Sequence, residues 1–257
     1  MPRRTSRPRL KKHYGQHHLV SGASCRPLVD FLSAGGVDPR WVVEIGPGGG
    51  VLTRELLATD LRVLAVEVDT EWVGFLHREL STPKLSILGA DGLGFPWHRL
   101  PAPSLVTGNL PFNVGTPIVD QVLDAAAREP DRLPRLGFMV QKEVADRLVA
   151  RPGDPAYGAL SVLVRARART RTLGTVPPGA FRPPPKVAAA FVGFEPLPLD
   201  QQPSPAAELA GLRRVVHAAF GQRRKTLANA LGAVYGKPRV IDVLEAIEID
   251  PRRRAET

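Results

Sequence analysis

Three glycines, Gly46, Gly48 and Gly50, lie between an apolar run and an amphipathic one. A glycine cluster at a strand-to-helix turn lets the backbone approach a ligand closely, with the N–H groups of the helix start pointing at it. Glu67 closes the next apolar run, where its carboxylate can accept hydrogen bonds from a pair of ribose hydroxyls. Nicotinamide cofactors use the same layout, so these two features leave a dinucleotide and another adenosine-containing cofactor both open. Asp91, in Gly89-Ala90-Asp91-Gly92, is placed either to reach an adenine edge or to cap a turn.

The segment Asn109-Leu110-Pro111-Phe112 separates these readings. An exocyclic amine such as adenine N6 is a poor nucleophile, because its lone pair is delocalised into the ring. Two acceptors, the Asn109 side-chain oxygen and the Leu110 carbonyl, can hold both amine hydrogens so that the lone pair points at an electrophilic methyl group. Pro111 fixes the turn, and the Phe112 ring offers a face on which an extruded base stacks. Standing alone, the segment reads equally well as a β-turn with Phe112 in the core.

The elements that must position these residues alternate. Residues 41–45 read as a strand ending in the glycine turn, and 51–58 as a helix with Val51, Leu52, Leu56 and Leu57 on one face. Strands follow at 62–68, 85–88 and 104–107, and helices at 71–80, 116–127 and 142–150. This is the layout of parallel βαβ units, so the expected class is α/β with a doubly wound sheet. Residues 160–176 read as a short helix passing into a strand, on which Arg165, Arg167, Arg169 and Arg171 alternate as on a half-exposed edge. A Pro-rich run leads to a strand at 188–194, and 195–205, with Pro196, Pro198, Pro203 and Pro205, reads as a linker. Helical periodicity then continues to the end, giving a sheet domain over 1–195, with a basic arm at 1–13, and a small all-helical domain over 196–257.

Charge narrows the function. The chain has 257 residues, with 35 Lys+Arg against 25 Asp+Glu, a formal net charge of +10. Arg3, Arg4, Arg7, Arg9, Lys11 and Lys12 stand in the first twelve residues without an acid, and residues 209–241 hold Arg213, Arg214, Arg223, Arg224, Lys225, Lys237 and Arg239, again without one. Two acid-free basic segments favour a nucleic-acid partner over a merely solvated surface. No apolar stretch is long enough for a membrane span and the N-terminus lacks the apolar core of a secretory signal, so a soluble, cytoplasmic protein is expected. The single cysteine, Cys25, fits a reducing compartment, and the six histidines show no metal-binding spacing; neither a metal nor a covalent nucleophile is expected.

The chain resembles the KsgA/Erm family of rRNA adenine N6-dimethyltransferases, and most closely its KsgA branch. The matching segments are Gly15-Gln16-His17-His18-Leu19, Glu44-Ile45-Gly46-Pro47-Gly48-Gly49-Gly50, Asn109-Leu110-Pro111-Phe112-Asn113, Val140-Gln141-Lys142-Glu143-Val144-Ala145, Tyr157-Gly158-Ala159-Leu160-Ser161-Val162, Phe181-Arg182-Pro183-Pro184-Pro185-Lys186-Val187 and Gln222-Arg223-Arg224-Lys225. The resemblance implies a Rossmann-like methyltransferase sheet. It also implies S-adenosylmethionine held by Gln16, His17, Leu19, Gly46, Gly48, Glu67, Asp91 and Asn109. Asn109, Leu110 and Phe112 would carry the catalytic contacts to the base, Phe181 would cover its other face, and Arg213, Arg214, Arg223, Arg224 and Lys225 would meet RNA. The implied substrate is a pair of adjacent adenines in the 3′-terminal hairpin of small-subunit rRNA, dimethylated by a monomeric enzyme on an assembling subunit. His17 stands where the family has Asn, His18 where it has Phe, Phe112 where it has Tyr and Ala188 where it has an acid. The alternatives are Erm-type methylation of large-subunit rRNA, a non-catalytic assembly factor, and a nicotinamide oxidoreductase, the last disfavoured by residues 109–112 and the basic charge.

Overall fold

A computed structural model describes residues 7–8, 17–34, 41–111, 114–202, 208–222 and 224–256. In chain order, β1 (His18–Leu19) and α1 (Arg26–Ser33) precede β2 (Trp41–Ile45), α2 (Val51–Leu57), β3 (Arg62–Glu67), α3 (Thr70–Glu79), β4 (Leu85–Gly89) and β5 (Ser104–Asn109). Then come α4 (Gly115–Arg128), β6 (Leu136–Gln141), α5 (Lys142–Val149), α6 (Ala159–Arg165), β7 (Ala168–Val176), β8 (Phe181–Arg182) and β9 (Ala189–Pro196). Helices α7 (Leu209–Phe220), α8 (Leu227–Tyr235) and α9 (Lys237–Ala246) complete the order.

Seven strands form one sheet in the order β4-β3-β2-β5-β6-β9-β7. The first five are parallel, and β9 runs antiparallel to both β6 and β7. Strand order reverses between β2 and β5, and in an open α/β sheet ligands bind beyond the strand carboxyl ends at such a switch point. Alternation along each strand divides the core into two layers. Val43, Val106, Phe138, Val192 and Phe194 pack with Val119 and Val122 of α4 and Leu148 of α5. Val42, Leu105, Met139 and Phe191 face the other way, toward Leu28 and Leu32 of α1 and Leu52 and Leu56 of α2.

Strand β6, like β1, α1 and β8, is absent from the elements expected in sequence. Gly137 breaks its run of large apolar residues, and the reason lies on the neighbouring helix: a Cβ at Gly137 would stand 2.4 Å from Leu28 Cδ1. Strand β9 also runs further than its expected end, to Pro196, with Glu195 paired to Arg169 and Pro196 to Ala168. The basic alternation of residues 165–171 is corrected as well. Arg165, Arg169 and Arg171 are exposed, but Arg167 lies in the turn before β7 and is 1% exposed.

Its burial is possible because α4 supplies two carboxylates one helical turn apart. Arg167 donates to Asp120 and Asp124, and Arg213 of α7 joins the same pair from the C-terminal helices, at 2.7 Å to Asp120 Oδ2 and 2.7 Å to Asp124 Oδ2. An edge-on contact between the Tyr157 and Phe220 rings, with centroids 5.9 Å apart, adds an apolar link between α7 and the segment before α6.

Candidate functional site

The glycine turn leaves β2 and enters α2 with Gly46, Gly48 and Gly50 at φ 65°, 49° and 74°, backbone that residues with a Cβ rarely adopt. β3 holds this turn in place. Gly46 N–H donates to the Val66 carbonyl at 2.9 Å, and Gly48 N–H donates to Glu67 Oε2 at 3.0 Å. The other carboxylate oxygen, Glu67 Oε1, accepts from Asp69 N–H at 3.0 Å. Burial pushes the Glu67 carboxyl above its ordinary pKa, while the Asp69 and Gly48 N–H groups pull the other way.

The His18 ring covers the turn from above: a Cβ at Gly48 would lie 2.8 Å from it, and the ring rests on Trp72 with centroids 4.6 Å apart. Burial, then the nearby Arg7 and His17, lower the His18 pKa to about 4, so the imidazole is neutral at physiological pH. His17 is held separately, its Nδ1–H donating to the Pro183 carbonyl at 2.9 Å.

Against the turn, and lined by it and by His18, is a cavity of about 260 Å³ at the switch point. Its lining brings together His17, Leu19, Gly46, Gly48, Glu67, Asp91, Asn109 and Leu110, residues singled out in sequence. Asn109 ends β5, and its Nδ2 donates to the His17 carbonyl at 2.9 Å, which leaves Oδ1 as the acceptor end of the amide. Leu110 N–H is tied to the Met139 carbonyl at 3.2 Å, and the Pro111 carbonyl accepts from Gly115 N–H at 2.9 Å at the start of α4. Asp91 both lines the cavity and closes a turn, Oδ1 accepting from Leu93 N–H at 2.9 Å.

Other expected residues lie elsewhere. Phe181 does not line the cavity; it pairs with Leu19 across β1 and β8 and is buried among Leu19, Val176 and Ala189. Gln16, Phe112 and Arg223 lie outside the described residues. Arg214, Arg224 and Lys225 are exposed. Arg213, grouped with them in sequence, is instead engaged by Asp120 and Asp124, because it faces α4 across the base of α7.

Sequence reasoning assigned no role to Glu44, which also lines the cavity and is 1% exposed. Its signal was a charge inside the apolar run of a central parallel strand, where a carboxyl needs a reason. Among the described lining residues are three carboxyls, Glu44, Glu67 and Asp91, and no Lys or Arg. Such a cavity suits a cationic nucleoside better than a pyrophosphate. The close backbone at Gly48, the apolar wall of Val66, Val68 and Leu93, and the Glu44 Oε2 without a hydrogen-bond partner all fit S-adenosylmethionine.

The family model described as Ribosomal RNA adenine dimethylase matches residues 7–256. A Ribosomal RNA small subunit methyltransferase A from Synechococcus sp. (strain JA-3-3Ab) is 40% identical over 252 residues, covering 97% of this chain and 88% of its own. One from Aromatoleum aromaticum (strain DSM 19018 / LMG 30748 / EbN1) is 43% identical over 226 residues, 88% of this chain and 82% of its own. The fold is that of a dimethyladenosine transferase from Plasmodium falciparum, at a TM-score of 0.76 and 21% identity over 93% of this chain and 92% of that one. The 23S rRNA methyltransferase ErmE shares it at a TM-score of 0.64 and 23% identity over 90% and 91%.

Proposed function

The chain belongs to the ribosomal RNA adenine dimethylase family, and on that premise we propose that it moves methyl groups from S-adenosylmethionine to N6 of two adjacent adenines in the 3′-terminal hairpin of small-subunit rRNA. The observation that carries the reading is the placement of Asn109, with its amide nitrogen already committed to the His17 carbonyl, in the same acid-lined cavity as the glycine turn.

Gly46 and Gly48 would bring backbone to the methionine part of the cofactor and Glu67 and Asp91 would meet its ribose and adenine, while His17, just before β1, and Leu19 of β1 line the same cavity. Gln16 is assigned beside His17. S-adenosylmethionine, when bound, supplies an electrophilic methyl carbon on a sulfonium. Asn109 Oδ1 and the Leu110 carbonyl accept the two N6 hydrogens and turn the lone pair toward that carbon. The pre-set turn at Pro111 fixes both acceptors before the base arrives. Formation of the nitrogen–carbon bond would be matched by cleavage of the carbon–sulfur bond, its electron pair staying on sulfur as the neutral thioether, and the amine proton would leave to solvent, so no strong base is needed. Phe112 stacks on the base. Phe181, paired with Leu19 and buried in the core, would support the wall beside the base from within.

Arg214, Arg223, Arg224 and Lys225 meet RNA phosphates, aided by the basic arm. Arg213 ties α7 to the sheet domain. The substrate is the assembling small subunit and the enzyme acts as a cytoplasmic monomer. Among the described residues no helix is long and apolar enough to cross a membrane, and no three His, Cys, Asp or Glu are grouped to hold a metal. Calorimetric titration with S-adenosylmethionine and with NAD tests the cofactor directly: binding of the first and not the second is expected, and the reverse contradicts the proposal.

A further inference from the structure

Glu44 is a buried carboxyl that the transfer chemistry above does not use. It stands one residue before the end of β2, lines the cavity and leaves Oε2 without a partner. Among the described residues, no Lys or Arg shares the cavity lining with it. The Glu67 carboxylate faces it from β3, with both oxygens already taken by Gly48 and Asp69 N–H groups. Thr53 of α2 lies close to it, its hydroxyl oxygen likewise without a hydrogen-bond partner, and the Cys25 thiol, with Glu55 also near, stands close to it just before α1. The two imidazoles lining the cavity are those of His17, held by Pro183, and the neutral His18. Burial pushes Glu44 up to about 8, with the Thr53 hydroxyl pulling down and the Glu67 charge adding to the rise. A carboxylate in that setting lacks both solvent and a counter-charge.

This rests on the reading of the cavity as the S-adenosylmethionine site, and from it we infer that Glu44 registers the charge of the cavity's occupant. Its carboxyl is neutral in the free protein and gives its proton to solvent when the cationic methyl donor binds. It takes a proton back once transfer leaves the neutral thioether, S-adenosylhomocysteine. The O–H bond broken on binding is re-formed on turnover, and the proton lost by the adenine amine is a separate one. A carboxylate sharing this low-dielectric cavity with the donor's sulfonium would be attracted to it, an attraction the product forgoes, so one residue would favour donor over product and help the spent cofactor leave.

Calorimetry of the full chain at pH 7, in two buffers of different ionisation enthalpy, counts the protons. S-adenosylmethionine releases close to one proton per site, and its affinity rises about tenfold per pH unit between about pH 6 and 7, whereas S-adenosylhomocysteine releases far less. Glu44→Gln, which imitates the neutral acid, abolishes the difference in proton release between donor and product and narrows their affinity ratio. Its melting curve and S-adenosylhomocysteine binding check that fold and site persist. Equal proton release for the two ligands in the unaltered chain overturns the inference without any variant. Release that survives Glu44→Gln overturns it too, by placing the proton on another group. Absence of binding by either ligand overturns the cofactor reading and this inference with it.

Discussion

Asn109 performs two tasks with one amide: Nδ2 grips the His17 carbonyl at 2.9 Å, and Oδ1 is thereby the end available to a substrate amine. Asn109→Ala removes the acceptor, and methyl transfer falls on the order of 10²–10³-fold, as when one preorganised polar partner of a transition state is removed, with S-adenosylmethionine affinity near its original value. Single-turnover transfer alongside calorimetric binding checks this; unchanged turnover refutes the assignment. Glu44 has a consequence for the ligand-free fold as well. A carboxyl whose pKa rises from 4.5 to about 8 on folding stabilises fully below 4.5, and that contribution is lost as pH rises toward 8. Glu44→Gln therefore flattens the dependence of stability on pH across that window, read from chemical denaturation at a series of pH values; an unaltered slope assigns the titration elsewhere. At this scale the glycines, Glu67, Asp91 and Asn109 were legible in the sequence because each is a residue type at a fixed offset from a strand end. Glu44 was marked only as a charge inside an apolar strand, since its character comes from burial, and the inward packing of Phe181 follows from its pairing with Leu19, a contact between segments far apart in the chain.

Elements are joined by charge as well as by apolar faces. Asp120 and Asp124 lie one turn apart on α4 and hold both the buried Arg167 and the half-buried Arg213. Although burial works against it, the two guanidinium groups keep the Asp120 carboxyl below its usual range. Asp120→Ala leaves Arg167 undercompensated at 1% exposure, and a loss of about 3–5 kcal/mol in unfolding free energy is expected from denaturant titration. A change near zero shows the network to be dispensable. Arg213→Ala distinguishes the two readings of that residue: the structure predicts a lower melting temperature with RNA affinity close to normal, whereas a phosphate contact predicts weaker RNA binding at full stability. The βα alternation through β5 was legible because buried parallel strands are β-branched and helices carry 3.6-residue stripes. Strand β6 was hidden by Gly137, which is there for Leu28 of α1, and Arg167 by partners 43 and 47 residues away.

Over the whole molecule, a net charge of +10 sits beside a cavity lined by three carboxyls and no Lys or Arg among its described residues. On the proposed function, the overall charge favours a polyanionic RNA while the acidic lining favours a cationic methyl donor, which would separate the two by sign. Removing Arg214, Arg224 or Lys225 by alanine substitution weakens RNA binding across sequences, and each phosphate no longer neutralised lowers the slope of log affinity against log salt by about 1. Filter binding over a salt series measures it, and an unchanged slope removes that residue from the interface. The basic balance and the class of partner were legible from composition; which cations remain available was not, because Arg213 is committed by the fold. The most direct measurement is methyl transfer from labelled S-adenosylmethionine to immature small subunits, large subunits and free RNA, followed by mass mapping of the digested RNA. N6,N6-dimethyladenosine is expected at two adjacent positions of the small-subunit 3′-terminal hairpin, its formation slowed on the order of 10²–10³-fold by Asn109→Ala. Label confined to large-subunit RNA, or none in any RNA, contradicts it.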